Sequence, residues 1–246
     1  MNECCAAHPA PVSGRRSWLK ASAGAAVVLA GVGLRTDDAQ AASLSKSQRD
    51  AMTPDQVIAA MERGNARFRA GKATKHDYLA QKRSSAAGQF PAAVILSCID
   101  SRAPAEIVMD AGIGDTFNAR VAGNVSNKDI LGSMEFACAV AGAKVVLVMG
   151  HTACGAIKGA IDKVELGNLT GLLETIKPAV EATTYTGERS SKNYAFVDMV
   201  ARTNVKLTID AIRSGSPVLA DLEKKGSLKI VGAMYDLANG RVTFLR

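Results

Sequence analysis

Aromatic residues are scarce in this chain, at 4% of 246 residues, and the single tryptophan is Trp18. Histidine is scarcer, with only His8, His76 and His151. The formal net charge is +7, but the basic residues are scattered rather than interleaved with aromatics, which argues against nucleic acid binding. A mild positive potential helps solubility and the gathering of small anions. No phosphate-binding loop occurs. The segment Gly112-Ile113-Gly114-Asp115 is not a dinucleotide fingerprint, because Phe117 stands where a third glycine is needed. The uncharged run Ala21 to Leu34 is fourteen residues long, too short and too rich in alanine and glycine for a comfortable membrane span.

What is present reads as one α/β domain. Short apolar runs rich in β-branched residues predict strands near 92–97, 116–121, 145–150 and 228–235, with an edge strand at 241–245. Amphipathic segments between them predict helices near 54–70, 104–110, 128–141, 154–162, 169–182 and 194–214. The polar stretch Thr183 to Lys192 reads as a surface loop. This alternation implies a mostly parallel sheet flanked by helices. Cys138 lies in a helix-like apolar run and reads as a buried core thiol.

Two of the predicted strands end in residues that carry chemistry. Cys98-Ile99-Asp100-Ser101-Arg102 follows the first, and Gly150-His151-Thr152-Ala153-Cys154-Gly155 ends the third. Ligand sites of open α/β sheets collect beyond the carboxyl ends of strands. A lone cysteine at such a place is more often a small buried hydrophobe than a ligand, and a lone histidine more often a hydrogen-bonded core or rim residue. Together, two thiolates and one imidazole suffice to hold zinc with its fourth position open, as catalytic sites require. Asp100 and Arg102 read on their own as a loop salt bridge, or as a pair serving that site.

These motifs resemble the signature of the β-class carbonic anhydrases, Cys98-x-Asp100-Ser101-Arg102 with His151-x-x-Cys154. The likeness runs from about residue 53 to 246. It includes Glu62-Arg63-Gly64-Asn65-x-x-Phe68, Asp110-x-Gly112-x-Gly114-Asp115-x-Phe117, Arg120-Val121-Ala122-Gly123-Asn124 and Ile230-Val231-Gly232-Ala233-x-Tyr235-Asp236. It implies Zn2+ held by Cys98, His151 and Cys154, and reversible hydration of carbon dioxide to bicarbonate by zinc-bound hydroxide. Asp100 would orient that hydroxide, with Arg102 keeping Asp100 ionised, and Asp100 would itself ligate zinc only in a closed form. Gln89 matches a glutamine that hydrogen-bonds substrate. A homodimer or dimer of dimers is implied, with the helix from Pro54 packing on the partner. Val57, Ile58, Met61 and Phe68 form a stripe on that helix that its own domain could equally bury. Trp18 lies outside the likeness, so a tryptophan-containing bicarbonate pocket is not expected.

Histidine number supports the same ligand set, since a three-histidine site would need all of His8, His76 and His151. His76 reads as a solvated loop residue rather than a proton shuttle. Two rivals share the motifs: hydrolysis of carbon disulfide or carbonyl sulfide, and a catalytically silent zinc- or bicarbonate-binding protein. The intact Asp100–Arg102 pair argues against the latter.

Residues 1–41 read as a cleaved signal. Arg15-Arg16-Ser17-Trp18-Leu19 precedes the apolar run and Ala39-Gln40-Ala41 offers a small-x-small cleavage site, which resembles a twin-arginine export signal. The expectation is a periplasmic chain from Ala42, about 205 residues long, with a net charge of +6 and no stable membrane anchor. Cys4 and Cys5 would leave with the signal, so no disulfide framework remains. Export of folded cargo would let zinc load before the thiols meet an oxidising compartment.

Overall fold

The computed structural model describes residues 40–245. The signal features at Arg15, Arg16 and Trp18, together with Cys4, Cys5 and His8, lie outside the described residues. Five strands form one sheet: β1 (Ala93–Ser97), β2 (Thr116–Arg120), β3 (Val145–His151), β4 (Lys229–Tyr235) and β5 (Val242–Leu245). Their spatial order is β2-β1-β3-β4-β5, and all neighbours are parallel except the β4–β5 pair. The predicted strands are thus observed to within one or two residues. The helices are α1 (Lys46–Ala51), α2 (Pro54–Arg69), α3 (Tyr78–Ser85), α4 (Ala105–Val108), α5 (Lys128–Glu135), α6 (Gly155–Ile161), α7 (Gly167–Glu174), α8 (Lys177–Ala182), α9 (Tyr194–Gly215) and α10 (Pro217–Lys224).

The central strands β1 and β3 are apolar on both faces because both faces are covered. Val94, Leu96, Val146, Val148 and Ile230 share a core with Phe196, Val200, Val205 and Ile212 of α9. Ala93, Ile95, Val145, Leu147 and Met149 share the opposite core with Val57 and Met61 of α2 and Val108 of α4. The apolar stripe of α2 is therefore buried against its own sheet, with Ile58 and Phe68 packed beside it. Helix α9 lies close on β3 and β4 because those strands carry Gly150 and Gly232. A Cβ on either would stand 2.7 Å from a Val205 methyl.

Some helices differ from expectation. The predicted helix over 169–182 is two, because Pro178 has no amide hydrogen and its ring would clash with the Glu174 carbonyl one turn earlier. The segment after α5 continues in a wider turn, with Ala141 N donating to Phe136 O at 2.9 Å. Helices α1, α3 and α10 carry no expectation from periodicity, yet each has a side-chain cap, from Ser45, Asp77 and Ser216 respectively. The loop over 183–192 is present. It is anchored by Arg189, which donates to Thr183 O and Val180 O at 2.5 and 2.7 Å.

His76 corrects an expectation, since its side chain is only 6% exposed rather than solvated. Gln81 Nε2 donates to His76 Nδ1 at 3.1 Å, so His76 Nε2 carries the hydrogen and donates to Asp110 Oδ1 at 3.3 Å. Asp110 also accepts from Arg67 Nε at 2.5 Å, and from Thr74 N and Oγ1 at 3.0 and 2.9 Å. Burial opposes ionisation of Asp110, but Arg67 and Thr74 prevail and hold its carboxyl below the usual range. A lowered carboxylate pKa stabilises the fold at neutral pH, and that contribution fades as acid protonates the group. Asp110→Ala should therefore cost about 3 kcal/mol at pH 7. The difference from wild type should shrink below about pH 4. Urea denaturation of both proteins at the two pH values measures it.

Candidate metal centre

Parallel pairing of β1 with β3 brings the two motifs together. Ser97 pairs with Met149, so Cys98 and His151 leave adjacent strands at the same end. Each is then fixed by its own backbone contacts. Arg120, at the end of β2, donates through Nε to Cys98 O at 3.0 Å and through Nη2 to Asp100 O at 2.6 Å. Gly123 N donates to Cys98 Sγ at 3.4 Å. Gly123 has φ 69°, and a Cβ there would also meet Ile176 Cδ1 at 2.5 Å, so glycine is required twice over. Asn204 of α9 holds the same residue from its other peptide, donating to Gly123 O at 2.7 Å.

His151 donates from Nδ1 to Thr152 O at 2.9 Å, which leaves Nε2 as the free lone pair. That Nε2 is buried and has no hydrogen-bond partner, a costly state for a polar atom unless something else occupies it. Cys154 Sγ lies 4.0 Å from Cys98 Sγ, and the three ligand atoms fall within 4.8 Å of one another. The residues are 4%, 1% and 1% exposed for Cys98, His151 and Cys154. Two zinc–sulfur bonds of about 2.3 Å at a tetrahedral angle place their sulfurs roughly 3.8 Å apart. The sulfur separation, the orphaned imidazole nitrogen and the soft donor set all fit zinc.

Electrostatics explains why a cation belongs there. The Cys154 side chain donates to Cys98 and pulls the Cys98 thiol down to about 4, helped by the Gly123 amide. The same contact, followed by burial, pushes the Cys154 thiol up. The pair holds one proton between two sulfurs, and losing it leaves like charges 4.0 Å apart in the interior. A divalent ion relieves that repulsion, so metal binding releases protons.

Asp100 stands beside the cluster, with Oδ2 3.8 Å from His151 Nε2. Its carboxylate is engaged by Arg102, whose N and Nε donate to Oδ1 at 2.9 and 3.0 Å and whose Nη2 donates to Oδ2 at 2.8 Å. Arg102 thereby holds the Asp100 carboxyl well below the usual carboxylate range.

A family model described as carbonic anhydrase matches residues 93–242. "Carbonic anhydrase 2" of Mycobacterium tuberculosis is 36% identical over 188 residues, covering 74% of this chain and 88% of that protein. The carbonic anhydrase of Mycolicibacterium smegmatis is 35% identical over 185 residues, covering 74% and 89%. This chain belongs to the β-carbonic anhydrase family. Solved structures agree. One of two tetrameric β-carbonic anhydrases from Sordaria macrospora is 26% identical, covers 78% of this chain and 97% of its own, and gives a TM-score of 0.59. The β-carbonic anhydrase CafA of Aspergillus fumigatus, also 26% identical, covers 76% and 90% with a TM-score of 0.60.

Within the β-carbonic anhydrase fold, Gln89 does not join the cluster of its own chain. It is exposed and precedes the amino end of β1, whereas the cluster lies beyond the carboxyl end. The five residues of β1 alone separate them by about 16 Å. Cys138 is buried elsewhere, its thiol pushed up to about 12 by burial. Arg120, Asp198 and Asn204 escape a sequence reading as functional residues. Asn204 does leave a trace, as a polar residue on the buried face of α9 between Val200 and Ile209.

His151→Ala should lower zinc affinity by at least about 100-fold, the upper end of what losing a mere supporting contact costs. Cys138→Ala should leave it unchanged. Competition with a chromophoric chelator distinguishes the two.

Proposed function

We propose that the chain catalyses reversible hydration of carbon dioxide to bicarbonate and a proton at the Cys98–His151–Cys154 centre. The observation that carries this reading is a three-ligand buried cluster with an Arg102-held carboxylate beside it, rather than a fourth protein ligand. Zinc bound there supplies an acidified water as nucleophile near neutral pH. Asp100, kept ionised by Arg102, is an acceptor only. Its Oδ2 takes the hydrogen bond of the attacking oxygen and leaves that oxygen's lone pair aimed at carbon. Because the Asp100 pKa is lowered, its charge is constant across the neutral range and does not set the pH profile. Asp100→Ala should reduce kcat/KM by about 100-fold or more with zinc retained. Stopped-flow hydration with metal quantified on the same sample tests it, and wild-type turnover in a fully zinc-loaded variant would remove Asp100 from the mechanism.

Gln89 in this reading binds substrate only across a contact between copies, since its own chain keeps it at the far end of β1. Assembly as a dimer or dimer of dimers is supported by the unpaired edge of β2 among the described residues, and by the exposed Ile107, Ile113, Tyr78 and Leu79.

Residues 1–41 are inferred to direct twin-arginine export to the periplasm, on the strength of Arg15-Arg16 and the apolar run that follows. Gln40, inside the expected cleavage segment, pairs with the chain at Lys75 and Asp77 and accepts from Gln81 Nε2 at 2.9 Å. Cleavage after Ala41 removes those bonds. Replacing Arg15 and Arg16 with lysine should trap the chain in the cytoplasm, as cell fractionation would show, and amino-terminal sequencing of the exported protein should begin at Ala42.

A further inference from the structure

Between the ligands His151 and Cys154 the chain makes one unfavourable move. Ala153 has φ 53°, a left-handed conformation that any residue with a Cβ resists. On one side of it, Thr152 is fixed to β4: Thr152 N donates to Tyr235 O at 2.9 Å, and Leu237 N donates to Thr152 Oγ1 at 3.0 Å. On the other side, α6 begins and Lys158 N donates to Cys154 O at 3.0 Å. Ala153 is therefore the joint between two fixed pieces. Its amide donates to Oδ1 of Asp198, one turn into α9, at 2.8 Å. Asp198 is half-buried, and burial pushes its carboxyl above the ordinary range, a cost that a solvent-facing residue would not incur.

We propose that Asp198 is a positioning residue of the metal centre. It accepts the Ala153 amide and so keeps the turn in the conformation that brings Cys154 Sγ to Cys98 Sγ. The inference rests on the zinc reading above. It assigns α9 a role at Cys154 matching the one Asn204 has behind Cys98 through Gly123. Asp198 touches neither metal nor substrate, so its effect passes wholly through the shape of the turn.

The test uses the full chain with wild type, Asp198→Ala, Asp198→Asn and the double variant Asp198→Ala/Ala153→Gly. Zinc affinity is read by chelator competition, and ligand geometry by the thiolate charge-transfer and d–d bands of the cobalt(II) forms. Asp198→Ala should weaken zinc by about 10- to 100-fold and shift the cobalt bands. Asp198→Asn keeps an acceptor oxygen and should stay close to wild type. The double variant should recover most of the loss, because glycine adopts the left-handed turn without help. Thermal unfolding of the metal-free proteins checks that all are folded. If Asp198→Ala does not fold, Ala153→Val takes its place: it strains the same joint with Asp198 intact and should cost zinc affinity on the same scale. Wild-type affinity and bands in Asp198→Ala, or in Ala153→Val, would overturn the proposal. So would a loss shared equally by Asp198→Asn, or one that Ala153→Gly does not relieve. A wild-type chain that fails to take up one zinc would overturn the zinc reading and this inference together.

Discussion

Two sulfurs 4.0 Å apart inside a protein cannot both carry charge unless a cation joins them. Much of the surrounding structure serves that constraint. Gly123 offers its amide to Cys98, and His151 turns Nδ1 to a backbone carbonyl so that Nε2 is left unsatisfied. Zinc bound there would take that nitrogen and both sulfurs as ligands, and the left-handed Ala153 shapes the loop that carries one of them.

Helix α9 is the element through which the fold holds this preparation. It rests directly on β3 and β4 because Gly150 and Gly232 leave room for Val205. That close approach puts Asn204 within reach of the Gly123 carbonyl and Asp198 within reach of the Ala153 amide. The two thiols sit on different loops, after different strands, yet one rigid helix supports both. Packing on the sheet and geometry at the metal are thus a single requirement, since a helix lifted by one methyl group would loosen both loops at once.

The parts of this arrangement legible in the sequence are those with local signals. Short β-branched runs mark β1, β3 and β4 closely, and the paired Cys98 and His151–Cys154 motifs name the three residues that the fold gathers into one cluster. Pro178 is a local signal that the expected single helix over 169–182 passes over, although the chemistry of the proline ring breaks the helix there. Other features depend on distant partners and leave little local mark. Asp198 is one acidic residue among many until α9 is placed over Ala153. His76 looks like a loop histidine until Asp110 and Gln81 close on it from other elements. Helix α3 is polar and weakly amphipathic, and it is Gln81, buried and bonded to Ile113, Gln40 and His76, that docks it. Gln89 differs again, because the strand direction keeps it from the cluster of its own chain and leaves its role to a contact between copies.

The Asp100–Arg102 pair follows a different logic from the ligands. Arg102 is 60% exposed at its side chain, so the pair sits where water enters, and exposed ion pairs contribute little to stability. Folding alone does not require it. What the pair does achieve is orientation: two parallel donors from a planar guanidinium fix the plane of the carboxylate, which one lysine could not do. In the proposed reaction, an acceptor of fixed plane beside the Cys98–His151–Cys154 cluster would select the direction from which an oxygen nucleophile presents its lone pair. There the buried cluster would hold the metal, while the Asp100–Arg102 pair would turn the molecule attacking beside it.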